Sequence, residues 1–111
     1  MREKWIPVDL ARFPPNVSLV VDAEEEDKIG VMVTKSGEPV NMTGSISARM
    51  ILPDGSMLSE NGTVEGNIGY VVLPDEAYEN LGTVAIALRH TDGSDVTTLC
   101  TVTMTVKEVS E

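Results

Sequence analysis

The sequence is poor in the residues on which most small-domain chemistry depends. It holds 1 cysteine and 1 histidine, aromatics make up 4%, and 8 lysines and arginines face 18 acidic residues for a formal charge of −10. A single cysteine, Cys100, excludes an intrachain disulfide framework and a cysteine-based zinc cluster. So acidic a balance, with a pI near 4.4, argues against nucleic acid, whose affinity rests on clustered Lys and Arg. It argues equally against an anionic membrane surface. No apolar run approaches the ~18 residues of a spanning helix. The start, Met1-Arg2-Glu3-Lys4-Trp5-Ile6-Pro7, lacks the apolar stretch and small-residue cleavage site of a secretory signal, so a chain made and used without export is expected.

What is present suffices for a fold. Hydrophobic residues make up 41% of 111 residues, enough for one domain that buries roughly two-thirds of its unfolded surface. Residues 1–16 mix charge, Trp5, Pro7 and Pro14-Pro15 without a sustained period, which predicts an extended N-terminal arm. From Val17 the chain alternates short strands with turn signals. Val17–Val21 and Lys28–Thr34 flank an acidic run, Asp22–Asp27, and Lys35-Ser36-Gly37-Glu38-Pro39 makes a turn. Gly44–Leu52 places Ile46, Ala48, Met50 and Leu52 on one face. Pro53-Asp54-Gly55, Asn61-Gly62 and Asp92-Gly93 read as turns, the last two as hairpins.

Ile68, Tyr70 and Val72 share a face that is expected inward, and Pro74–Gly82 reads as a single helical turn. Val96–Val106 sets Val96, Cys100, Val102, Met104 and Val106 against a threonine-rich face, with Leu99 out of step. About seven strands at roughly 8–12-residue spacing predict an all-β, immunoglobulin-like antiparallel β-sandwich over 17–107, with a C-terminal tail at 108–111; a small barrel is the alternative. The methionines read as core fill.

Candidate chemistry is sparse. Cys100 lies in a strand-like run, where a buried thiol is expected in place of a nucleophile. His90 near Asp92 has the composition of an oriented base, but sits at a strand end without a nucleophile. The acidic run is nearly pure charge, without the interspersed Gly and Asn of a calcium loop. Three Asn-x-Ser/Thr triplets, at Asn16, Asn41 and Asn61, read as turn residues beside strand residues. No catalytic residue, cofactor or metal is implied, and an enzyme is not expected. The arm offers Trp5, Ile6 and Phe13 as candidate partner-binding residues; for the pair Trp5-Ile6 the alternative, and the safer reading, is that it caps this domain's own sandwich.

The middle of the chain carries a longer pattern. Lys35-Ser36-Gly37-Glu38-Pro39-Val40-Asn41-Met42-Thr43-Gly44 leads into the alternating strand that closes with Pro53-Asp54-Gly55; Asn67-Ile68-Gly69-Tyr70-Val71-Val72-Leu73 and Leu81-Gly82 follow. On these residues the chain, from Val17 to Val106, resembles the N-terminal domain of phage baseplate upper proteins. The resemblance implies a β-sandwich that docks onto other virion proteins and holds a receptor-binding appendage, often as a homotrimer. It brings no catalytic residues. The expectation is a non-enzymatic phage or prophage virion structural protein (a baseplate, tail or head-fibre adaptor), made in the bacterial cytoplasm and used in the virion. The alternative is a bacterial immunoglobulin-like or carbohydrate-binding module that recognises a surface glycan or protein, with only Trp5, Phe13, Tyr70 and Tyr78 to stack on a sugar.

Overall fold

The computed structural model describes residues 2–22, 27–78 and 81–107. Val, Ile and Thr at period two drive these segments into strands, because alternate side chains can be buried while the others stay wet. Ten strands form among the described residues: β1 Arg2–Asp9, β2 Asn16–Asp22, β3 Asp27–Lys35, β4 Glu38–Pro39, β5 Ser45–Ile51, β6 Met57–Asn61, β7 Thr63–Glu65, β8 Ile68–Val72, β9 Gly82–Asp92 and β10 Asp95–Lys107. They build two mixed five-stranded sheets that face each other as a sandwich. The first sheet runs β1-β3-β8-β7 with β4 beside β3, and the second runs β2-β10-β9-β5-β6.

The all-β sandwich expectation holds, but the seven-stranded, purely antiparallel version is corrected. β1 pairs with β3 and β2 pairs with β10 in parallel. Nor is there an extended N-terminal arm. Arg2–Asp9 is an edge strand in register with Asp27–Thr34, and its even positions send Ile6 and Val8 into the core at 2% and 3% exposure. Pro7 is tolerated because an edge strand needs ladder hydrogen bonds on one side only. The sandwich therefore takes in Arg2–Lys107, and only Leu10–Pro15, which crosses between the sheets, keeps the irregular character expected for 1–16.

Three further readings change. Asn61-Gly62 is not a hairpin turn: Asn61 ends β6 in the second sheet, Thr63 begins β7 in the first, and Gly62 carries the chain between them with its N–H donating to the Ile46 carbonyl at 2.8 Å. In β10 the register slips between Thr98 and Cys100, so Leu99 and Cys100 are both buried while Val96 is left 51% exposed. That bulge explains the out-of-step leucine. In β8 it is Gly69 and Val71 that point inward, and Tyr70 faces out with Ile68 and Val72. The helical turn is a single 3-10 turn over Asp75–Tyr78. Residues 79–80, most of the acidic run (23–26) and the tail 108–111 lie outside the described residues.

The core is aliphatic. Ile29, Val31, Val33 and Val71 from the first sheet meet Ile46, Met50, Ile86, Leu88, Val102 and Met104 from the second, each at 1% exposure or less. Two methionines fill this layer, whereas Met32 and Met57 are 39% and 57% exposed, so methionine is core fill only in part.

Candidate functional site

Two of the aromatics, Trp5 and Tyr70, stand on the outer face of the first sheet. β1, β3, β8 and β7 place Trp5 opposite Gly30, Gly30 opposite Tyr70, and Tyr70 opposite Thr63 in one row. Gly30 makes that row possible. The benzo ring of Trp5 lies over it so closely that a Cβ there would come within 2.4 Å of the indole. Across that notch Trp5 reaches Tyr70 edge-on, with centroids 6.3 Å apart at 75°, the geometry favoured by the ring quadrupoles. Lys28, one row up, holds its Nζ 4.2 Å from the Tyr70 centroid and 3.5 Å from Glu3 Oε1, so cation, ring and carboxylate fix each other. One row down, Pro7, Met32 and Ile68 stand side by side. Val72 and Met32 extend this face at 36% and 39% exposure.

The face continues past the end of β1. Phe13 is 96% exposed and stands with Arg12 and Pro15 over a shallow groove whose far wall is Pro7 and Thr34. The connector is held at its start by Asp9. Its carboxylate accepts the N–H of Ala11 (2.9 Å), Ser36 (2.9 Å) and Gly37 (3.1 Å) and the Thr34 hydroxyl (3.3 Å). These bonds, Ala11 and Ser36 foremost, favour the charged form and lower the Asp9 pKa below the ordinary 3.8.

A depressed folded pKa contributes stability that is present above the unfolded value and is lost as pH falls through the folded one. Asp9→Asn should therefore be less stable than the wild type at neutral pH, with the gap closing as pH drops below about 3.8. Urea midpoints measured from pH 6 to 2.5 check this. Asp54, also lowered by its Ser56 hydroxyl and N–H, leaves a residual acid limb in the variant.

The structure separates the three sequence-selected residues. Trp5 is half-buried on the outward face, Phe13 is fully exposed at its end, and Ile6, between them in sequence order, points into the core at 2% exposure. Ile6 is thus a fold residue, because period two puts it on the opposite side of β1 from Trp5. Lys28, Met32 and Tyr70 join the face without having been singled out for it. A glycine inside an apolar strand, Gly30, was the available signal, since such a position marks the close approach of another group.

The residues weighed for catalysis are occupied otherwise. Burial pushes the Cys100 thiol up to about 11, so it stays protonated at neutral pH. His90 Nε2 meets the carbonyl of Thr43, while Asp92 Oδ2 accepts the Thr43 hydroxyl at 2.9 Å. Both therefore hold the loop before β5 and do not form a dyad.

No protein-family profile matches the sequence, and no curated protein matches it. Among solved structures the chain is similar to the N-terminal domain of phage TP901-1 ORF48. That likeness has a TM-score of 0.58 at 17% identity and covers 97% of this chain and 100% of the other. At that identity the likeness is one of fold.

Proposed function

We propose that this chain is a non-enzymatic virion structural domain of a bacteriophage or prophage, an adaptor of the baseplate, tail or head fibre that works by protein–protein docking. The observation that carries the reading is the end-to-end fold likeness to a domain of a phage protein. The resemblance of Lys35–Gly44, Pro53-Asp54-Gly55 and Asn67–Leu73 to the N-terminal domain of baseplate upper proteins points the same way. The partners in this reading are other virion proteins, and a homotrimer is the assembled form that the family resemblance implies. The docking surface is the face bearing Trp5, Met32 and Tyr70, extended by Phe13, where an exposed apolar patch is bordered by charged side chains.

Mass spectrometry of phage particles induced and purified from the source bacterium tests this. Stoichiometric recovery of the chain's peptides is expected, with crosslinks from Lys28 to another virion protein. Absence from particles that contain the other tail and head proteins would overturn it. A finer result is expected of Phe13→Ala. With no intramolecular burial to lose, the variant should keep its stability within about 0.5 kcal/mol. As an anchor, its loss should weaken docking by about 2 kcal/mol or more, read by calorimetry against the crosslinked partner.

The outward position of Tyr70 beside Trp5 favours one second reading, a surface that recognises a glycan by aromatic stacking. A glycan array separates the two: selective binding that Trp5→Ala removes supports the second reading, and a flat array leaves the first.

A further inference from the structure

The outer face of the second sheet stands apart from the rest of the surface in its charge. Registers across β6, β5, β9, β10 and β2 define its outward positions. Among those with described side chains none is Asp or Glu, in a chain with 18 acidic residues. Two cations stand there, Arg49 on β5 and Arg89 on β9. Arg49 is opposite Ala87 and Arg89 is opposite Ser47, so the two are diagonal neighbours about 7–8 Å apart. Like charges this close repel, and no described carboxylate shares the face to offset them.

The shape matches the charge. Ala85 and Ala87 are too small to fill the space between their neighbours, and they help line a groove of about 550 Å³ along β9. At one end Ile51 and Met57 stand opposite each other, 50% and 57% exposed. Moving along β5, the Arg89 level, Arg49 and Ile51 follow at two-residue steps, roughly 6.6 Å each. An extended chain repeats its side-chain direction at the same step.

We propose that this groove docks an extended acidic segment of a partner protein, with two carboxylates spaced two residues apart on Arg89 and Arg49 and an apolar side chain two residues further on over Ile51 and Met57. Each guanidinium presents paired N–H donors that fit a carboxylate. The charge distribution and the groove carry this inference; it uses a different sheet from the aromatic face and does not depend on the virion reading.

The test is an NMR titration of the ¹⁵N-labelled full chain with the peptide acetyl-Ser-Thr-Glu-Thr-Glu-Thr-Leu-Ser-Thr-amide and with its glutamine-for-glutamate counterpart. Amide shifts are expected at Arg49, Ala85, Ala87 and Arg89 with the acidic peptide and not with the neutral one. The Arg49→Glu/Arg89→Glu variant should weaken binding by about tenfold or more, as the loss of two exposed ion pairs implies. Arg49→Gln/Arg89→Gln, a milder change that leaves the face uncharged, should weaken it in the same direction, and the spectra themselves report whether each variant is folded. Absence of shifts at millimolar peptide would overturn the proposal, as would equal shifts with the neutral peptide or indifference to both variants. Shifts of the same amides by an oligothymidylate, or self-association of the chain that Arg49→Glu abolishes, would replace the acidic segment by a nucleic acid or a second copy and also overturn it.

Discussion

Ile6→Ala is expected to destabilise the chain by about 2–4 kcal/mol, the range for truncating a buried isoleucine. Ile6 is 2% exposed and lies in the same cluster as Val8, Val31 and Val33. Its strand is held by a full parallel ladder from Arg2↔Asp27 to Asp9↔Thr34. An N-terminal arm would give the opposite result, since truncating a side chain on a free segment changes stability by no more than about 0.5 kcal/mol. The same reasoning governs deletion. Removing residues 1–16 takes away β1 outright, strips the core of Ile6 and Val8, and exposes the edge of β3. It also removes the Pro15 carbonyl that accepts the Thr101 N–H at 3.0 Å. The shortened chain should fail to give a cooperative transition. Loss of partner binding on that deletion would therefore report unfolding, which is why Phe13→Ala is the informative variant for docking. Equilibrium urea unfolding followed by Trp5 fluorescence measures the Ile6→Ala effect, and an unchanged midpoint would restore the arm.

The error over residues 1–16 has a physical origin. Period two was present in Arg2–Asp9, with Ile6 and Val8 two apart, but Trp5 and Pro7 stand on the other face and break the apolar–polar contrast. A strand with one face on the core and the other carrying an aromatic cluster has no polar face to announce it. The same ambiguity reversed β8, where Tyr70, Ile68 and Val72 outweigh Gly69 and Val71 in apolar bulk although the latter pair is the buried one. Where one face was polar the pattern could be read directly. β5 buries Ile46, Ala48 and Met50 as its alternation requires, with Ser45, Ser47 and Arg49 on the other side. Parallel pairing was beyond local reading. The partners of β1 and β2 lie in β3 and in β10 at the far end of the chain, and no turn chemistry links them. The aromatic face was legible only in part for the same reason. Trp5 could be singled out as an apolar side chain beside prolines, but its neighbours Gly30 and Tyr70 reach it through that non-local register.

Gly62→Ala should cost about 3 kcal/mol or more, at or above the upper end of overpacking penalties. An asparagine–glycine pair in a hairpin loop would accept alanine at a modest cost, because its side chain would point to solvent. Gly62 is not in such a loop. It sits where the chain leaves the second sheet for the first, and a Cβ built on it comes within 2.1 Å of the Tyr70 carbonyl oxygen, 2.7 Å of a Val71 methyl and 2.9 Å of an Ile46 methyl. The first of these is backbone of the strand paired with β7, so relief requires either β8 or the crossing itself to shift. A shift of the crossing breaks the Gly62 N–H bond to the Ile46 carbonyl, and a shift of β8 disturbs Val71, which has no exposure. Neither neighbour can yield without losing core contact, which separates this position from Gly30, where the obstructing group is a half-buried indole able to swing outward. Thermal unfolding of Gly62→Ala beside Gly30→Ala reads the difference. The first should lose far more stability, while the second should chiefly change Trp5 emission as the ring leaves its notch. Near-equal melting temperatures for Gly62→Ala and the wild type would mean that the pair is a solvent-facing turn after all and that β6 and β7 belong to one hairpin.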